Sequence, residues 1–342
     1  YRKEKMAVIG DRRTVWDVLR SATSIILTSH VRPDGDGIAS EMALSSIMMK
    51  LGKKVAVINQ DVTPEIYTWL PGTGSIIQLN SGNGNDGGIP DGREYDLAVL
   101  LDCSDPSRIG GVYDIIKKAK KIISIDHHMT TDPLGADSYI DTDASSIGEI
   151  IYNLVPEIDA LLDRDIATCI YTSIMTDTGS FAYSNTTAEV FRIISRMMDF
   201  GADPSHCNSM VYNNRRLEHF RLLGLVLQLM ELDETGTILY AILPRDVYNQ
   251  TGARDEDNEG ILEILKGLRK IELIIMLRQL DDERLKCSLR AMGGVDCNHL
   301  AKMYGGGGHL KASGFIIDGD VSTRGPSIVK RIVEEVKVNG WL

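Results

Sequence analysis

A chain of 342 residues, 43% hydrophobic and 25% charged, has the composition of a globular protein and enough apolar material for two cores. Its net charge of −11 does not suit a grip on duplex nucleic acid, and no apolar run reaches the roughly 20 residues of a membrane span. Cys103, Cys169, Cys207, Cys287 and Cys297 are scattered with no C-x-x-C spacing, which argues against a disulfide framework or zinc knuckle and for a reducing compartment. Residues 1–13 are charged and lack an apolar signal core, so a cytoplasmic location is expected.

The first half alternates short apolar runs with helical patterns. Residues 24–29 (SIILTS) lead directly to His30, and 38–51 have helical periodicity that stops at Gly52. Further β-branched runs occupy 54–58, 97–101 and 121–125, separated by a Gly, Asn and Asp loop over 80–93. Short buried strands alternating with helices predict a parallel sheet covered on both faces. Ser146-x-x-Glu149 and Thr186-x-x-Glu189 read as helix-opening capping boxes, and 167–176 is an apolar helix candidate. Gly201-Ala202-Asp203-Pro204 breaks the pattern, and a polar stretch through Asn214 reads as a linker. Beyond it come a helix near 217–231, strands near 237–243, 271–277 and 285–291, a glycine tract at 305–308 and a helix over 327–337. The fold class expected is therefore α/β: a parallel-sheet domain with helices on both faces, then a smaller mixed α+β domain.

Three apolar runs end in acids or histidines. The first runs into His30, Asp34 and Asp36, the second into Asp102, and the third into Asp126-His127-His128; Asp177 follows the apolar helix. Ligands of an open parallel sheet bind outside the carboxyl ends of its strands, so these groups would converge at one rim. Each alone has a bland reading, since an acid after a strand is most often a turn former or cap. Together they predict a metal or phosphate site. Carboxylates and imidazoles without thiolates favour Mn²⁺ or Mg²⁺, with zinc or another divalent ion less favoured. Six such ligands suit two ions, the usual device for attack on phosphorus.

His30-Val31-Arg32-Pro33-Asp34-Gly35-Asp36 resembles the first motif of the DHH phosphoesterase superfamily, and Asp102 in LLDCSD the second. Asp126-His127-His128 is similar to the motif that names that family, and Asp177 in TDTGSF to the fourth. Gly305-Gly306-Gly307-Gly308-His309 resembles the signature of the DHHA1 substrate domain. The short two-domain group that contains nanoRNases, pAp phosphatases and cyclic-di-AMP or linear-dinucleotide phosphodiesterases is the subfamily it resembles most.

That resemblance implies one Mn²⁺ on His30 and Asp34, a second on Asp36, His127 and Asp177, and Asp102 as the bridge between them. It further implies that His128 faces the scissile phosphate, that Asp126 orients His127, and that Arg290, Gly306, Gly307, Gly308 and His309 bind substrate. The glycine amides would approach an anion with no Cβ in the way, while Arg290 and His309 would reach a terminal phosphate or base. Two departures touch no implied ligand: Ala39 stands where the family more often has glycine, and Met129-Thr130-Thr131 replaces a stretch with asparagine.

The domains expected are a DHH catalytic domain over 14–200, a linker over 201–216 and a DHHA1 domain over 217–342, with the active site in the cleft between them. The activity implied is Mn²⁺-dependent hydrolysis of short oligoribonucleotides or dinucleotides to 5′-mononucleotides, with pAp as a further substrate. A homodimer stays open. Rivals are a cyclic-di-AMP phosphodiesterase, a pyrophosphatase or polyphosphatase (which would lack the glycine-histidine tract), a single-stranded DNA exonuclease, and a catalytically silent nucleotide-binding regulator.

Overall fold

In a computed structural model, residues 8–79, 91–129, 133–280, 283–308 and 310–342 are described. The chain forms two compact units, Tyr1–Asn214 and Arg215–Leu342. The greater part of the expected loop at 80–93, the departure at Thr130 and Thr131, and His309 lie outside the described residues.

The first unit runs α1 (Arg12–Ser21), β1 (Ser24–Thr28), α2 (Gly35–Lys50), β2 (Lys54–Asn59), β3 (Ile77–Gln78), β4 (Leu97–Leu101), α3 (Tyr113–Ile116), β5 (Lys121–Asp126) and β6 (Tyr139–Ile140). Four helices follow: α4 (Ile147–Leu154), α5 (Arg164–Asp177), α6 (Ala188–Asp199) and α7 (Pro204–Tyr212). The strands form one sheet in the order β3-β2-β1-β4-β5-β6, every neighbouring pair parallel. Side chains alternate between its faces, as the two-residue period of a strand requires. Ile25, Leu27, Val99 and Ile123 join the core under the large helices, whereas Ile26, Ala98 and Leu100 pack with Ile109, Val112 and Ile116 on the other face. Each of the isoleucines, leucines and valines among them contributes about 1.5–3 kcal/mol by leaving water. Strand order reverses between β1 and β4, and a crevice at that switch point is where such sheets bind ligands.

The stretch expected to be a linker contains α7. Asp203 caps it by accepting from the amides of Ser205 and His206, Pro204 starts it, and Cys207 and Val211 are buried in the first core. The same residues that break one helix begin the next. The second capping box is displaced by one residue: Thr187, not Thr186, accepts from Val190 N at 3.2 Å and caps α6.

The second unit comprises α8 (Leu217–Leu229), β7 (Met230–Leu232), β8 (Ile238–Leu243), α9 (Asp246–Thr251), α10 (Ile261–Leu265), β9 (Leu273–Gln279), β10 (Arg284–Ala291), α11 (Cys297–Lys302), β11 (Gly307–Gly308), β12 (Ala312–Asp318) and α12 (Val321–Val338). Its mixed sheet runs β11-β12-β10-β9-β8-β7, with β8 and β9 parallel and the other pairs antiparallel. Helix α12 begins six residues before the predicted 327, because Asp320 caps it from Thr323 N and Gly325 and Pro326 are absorbed into its early turns. Among the described residues no helix is long and apolar enough to cross a membrane.

Candidate metal centre

The residues after β1, β4 and β5 meet the end of α5 at the switch point. His30, Asp34 and Asp102 form one group of ligand atoms lying within 4.8 Å of one another, and Asp36, His127 and Asp177 form a second. Asp102 touches both: its Oδ2 lies 3.4 Å from His30 Nε2 and its Oδ1 lies 3.4 Å from His127 Nε2.

Local structure explains each placement. Asp34 caps α2 through Oδ1, which accepts from the amides of Asp36 and Gly37 at 3.1 Å. Its Oδ2 stands 3.9 Å from His30 Nε2, so the turn-forming role and the site role belong to different oxygens. Gly35 is required sterically, since a Cβ there would meet the Thr176 side chain at 2.5–2.9 Å; this close approach brings the start of α2 against the end of α5, where Asp177 sits. Asp36 is gripped by Ile147 N at 2.9 and 3.1 Å and by the Ser173 hydroxyl. Asp102 adopts φ 58°, left-handed backbone that aspartate tolerates better than most residues.

His30 Nδ1 lies 2.9 Å from Val31 O and donates there, which turns Nε2 toward Asp34 and Asp102. His127 Nε2 faces three carboxylate oxygens, from Asp36, Asp102 and Asp177, at 3.4–3.5 Å. Asp126 differs from expectation. Its Oδ1 accepts from the ring Nδ1 of His128 at 2.8 Å and from the amides of His127 and His128, while Oδ2 accepts from Ser104 Oγ at 2.6 Å. It therefore orients the ring of His128 and only the main chain of His127, because the His127 ring turns toward Asp102.

Four carboxylates in so small a space conflict electrostatically. Burial, together with Asp102 and Asp177, pushes the Asp36 carboxyl well up, and burial lifts Asp177 to about 6 despite His127. Burial works against charge on Asp102 too, but His127, His128 and His30 hold its pKa well below the usual range. Burial disfavours protonation of His30 and His127, yet Asp102 and the other acids outweigh it and hold both at about 9. Among the described residues the buried Asp102 Oδ1 and His127 Nε2 have no hydrogen-bond partner. Orphaned donor atoms, oxygen and imidazole ligands and excess negative charge fit a hard divalent cation.

Three consecutive residues at the end of β2 obey the same strand-end rule but carry no histidine or paired acids to mark them in the sequence. Asn59 Oδ1 accepts from Ser29 N at 3.2 Å, Gln60 Oε1 from Gly111 N at 2.6 Å, and Asp61 Oδ2 from Arg32 N at 2.7 Å. They hold the loops that follow β1 and β4. Asn59 Nδ2 in turn donates to the fully buried Glu41 at 2.8 Å.

In the second unit, Arg290 and Gly308 flank β12 at adjoining positions, Arg290 opposite Ala312 and Gly308 opposite Ser313. Arg290 is half-buried and engaged: Nε donates to Glu263 at 3.3 Å and Nη1 to Leu289 O at 3.0 Å. Three of the glycine amides are not the free donors expected. Gly305 N bonds Lys302 O, Gly306 N bonds Ala301 O, and Gly308 N bonds Asn298 Oδ1 at 3.2 Å. Glycine is needed at 306 for space, since a Cβ would meet Gly314 O at 2.3 Å, and at 308 for a φ of 144°. Gly307 has room for a side chain, since a Cβ there would come no nearer than 3.7 Å to Asn298 Oδ1.

A doubly wound sheet with this acid and histidine cluster at its switch point defines a metal-dependent hydrolase of the DHH class. The family model of the DHH N-terminal domain matches residues 24–174 and that of the DHHA1 domain residues 235–337, and the chain belongs to this DHH/DHHA1 family. It is similar to proteins named bifunctional oligoribonuclease and PAP phosphatase NrnA: 29% identical to one from Thermus thermophilus over 96% of both chains, and 28% identical to one from Bacillus subtilis over 85% of this chain and 88% of that one. A solved structure of an exopolyphosphatase-related protein from Bacteroides fragilis superposes with a TM-score of 0.88 at 29% identity, covering 95% of this chain and 96% of that one.

Proposed function

We propose that this protein hydrolyses short oligoribonucleotides and dinucleotides such as pApA to 5′-mononucleotides and removes the 3′-phosphate of pAp, using two divalent ions, Mn²⁺ best. The observation that carries this reading is Asp102, whose two oxygens face different histidines and different ligand groups. His30 and Asp34 would hold one ion, Asp36, His127 and Asp177 the other, and Asp102 would join both. Such a pair supplies charge to activate water and to neutralise the scissile phosphate.

The protein's own groups do the rest. Ile147 N and Ser173 fix the Asp36 carboxylate so that it does not swing away from His127. Asp126 fixes the proton on His128 Nδ1 and, with Asp102, favours the cationic ring, which stabilises charge on the phosphate or donates to the leaving oxygen. Arg290 on β10, with Gly306, Gly307 and Gly308 shaping the adjoining strand and His309 after it, would engage the nucleotide. The buried, free cysteines support a cytoplasmic enzyme, and the acidic chain supports short rather than duplex substrates.

The test is incubation of the purified protein with Mn²⁺ and, separately, pApA, a longer oligoribonucleotide, pAp, cyclic di-AMP and pyrophosphate, with products resolved chromatographically. Cleavage of pApA and pAp with pyrophosphate left intact is the expected result. Turnover of pyrophosphate alone would overturn it.

A further inference from the structure

Arg32 lies between His30 and Asp34 and has a left-handed backbone, φ 54°. That conformation costs an ordinary residue about 1 kcal/mol and a glycine nearly nothing. It is held in place from outside the loop, by the Asp61 carboxylate accepting from Arg32 N at 2.7 Å. The neighbouring Val31 N donates to Arg108 O at 2.6 Å, which sets Arg108 beside the same loop. Arg32 and Arg108 are both exposed, and among the described residues neither guanidinium has an ion-pair or hydrogen-bond partner. Acids outnumber bases by 48 to 37 in this chain, and arginines such as Arg12, Arg196 and Arg216 do find carboxylates. Two arginines on the loops that follow β1 and β4, without an acidic partner among the described residues, are therefore available to an anion brought by the substrate.

We infer that Arg32, with Arg108 beside it, binds a second, non-scissile phosphate of the nucleotide substrate. The inference rests on the phosphoesterase reading and adds to it which part of the substrate the β1 loop recognises. Asp61 is a positioning residue: its Oδ2 accepts from the main chain of Arg32, and the Arg32 guanidinium makes no ion pair with it, so it holds the loop and leaves the side chain free to meet an anion. Planar guanidinium donors suit a phosphate better than a lysine point charge. The backbone strain persists because a side chain, not merely a turn, is needed at position 32.

The experiment compares kcat/KM of the full-length Mn²⁺-loaded protein on ApA, which has one phosphate, with pApA and ApAp, which add a second at either end. Arg32→Ala should lower kcat/KM for at least one two-phosphate substrate roughly 10- to 100-fold more than for ApA, the range of a charged hydrogen bond. Arg32→Gly relieves the strain, so it should melt no lower than the parent yet lose the same advantage, whereas Arg32→Lys should recover part of it. Equal losses on all three substrates, or full activity in Arg32→Gly, would show a loop or metal-positioning role and overturn the inference. If the parent protein cleaves none of the three, it is the phosphoesterase reading itself that has failed.

Discussion

Asp102 Oδ1 stands 3.4 Å from His127 Nε2 and 3.2 Å from His128 Nδ1, yet among the described residues neither Asp102 Oδ1 nor His127 Nε2 has a hydrogen-bond partner. In a settled core such a pair would close to hydrogen-bonding distance or find another partner. Held apart and surrounded by three more carboxylates, they are arranged for a cation.

Asp102 therefore tolerates little change. Asparagine accepts its left-handed φ of 58° and keeps its shape, so Asp102→Asn isolates the charge. Activity on every substrate should fall more than about 100-fold, beyond what the outer partners of metal ligands cost, while the variant still folds cooperatively in EDTA. Near-parental turnover by the folded variant would sink the two-metal reading.

Metal should also be visible without turnover. Adding Mn²⁺ at about 100 times its dissociation constant should stabilise the EDTA-treated protein by about 2.7 kcal/mol, and Asp102→Asn should forfeit most of this. Cys103→Ser should leave metal content unchanged, because the Cys103 thiol is buried, held up at about 11, and bonds only to Asp105 O among the described residues. Metal bound through that sulfur would refute the oxygen and imidazole ligand set.

Asp126 touches the ring of His128 rather than that of His127, and this separates two roles. Asp126→Ala should lower kcat about 10- to 100-fold with Mn²⁺ content and affinity retained. If metal were lost instead, Asp126 would be supporting His127 after all.

Glu41 provides a pH signature. Burial pushes its carboxyl up to about 8 from an ordinary value of 4.5, with Asn59 as its hydrogen-bond partner. Between those values the folded chain holds a proton that the unfolded chain has released, so stability falls as pH rises, by up to about 4 kcal/mol across the window. Glutamine at 41 removes the titration. Urea unfolding of the EDTA-treated proteins at about pH 5.5 and about pH 8 should show Glu41→Gln gaining on the parent as pH rises. Parallel behaviour of the two proteins would mean that Glu41 does not titrate there.

Arg290 offers the complementary test in the second unit. Removing it costs the pairing with Glu263 at the surface, a small loss, so Arg290→Ala should fold. Its KM for pApA should rise about tenfold while metal content stays constant. An unchanged KM would leave Arg290 as a partner of Glu263 only.

The sequence by itself determined the four inner strands β1, β2, β4 and β5 and the helices α2, α4, α5 and α6, because buried parallel strands are short β-branched runs and Asp, Ser and Gly mark the ends between them; the two-residue edge strands β3 and β6 are too short to leave such a run. It also displayed His30, Asp34, Asp36, Asp102, His127 and Asp177, since the carboxyl ends of parallel strands share one rim. Position along the chain does not reveal which atom faces which. Only the tertiary structure decided that Asp102 divides its oxygens between His30 and His127, that Asp126 serves His128, and that Ile147 N and Ser173 hold Asp36. It likewise placed the amides of Gly305, Gly306 and Gly308 on Lys302, Ala301 and Asn298, where the bare sequence offered them to an anion. The reason is common to all these cases. Local residue preference selects elements, but a side chain or amide settles on whichever partner the packing of distant elements brings within about 3 Å, and that partner is not encoded nearby.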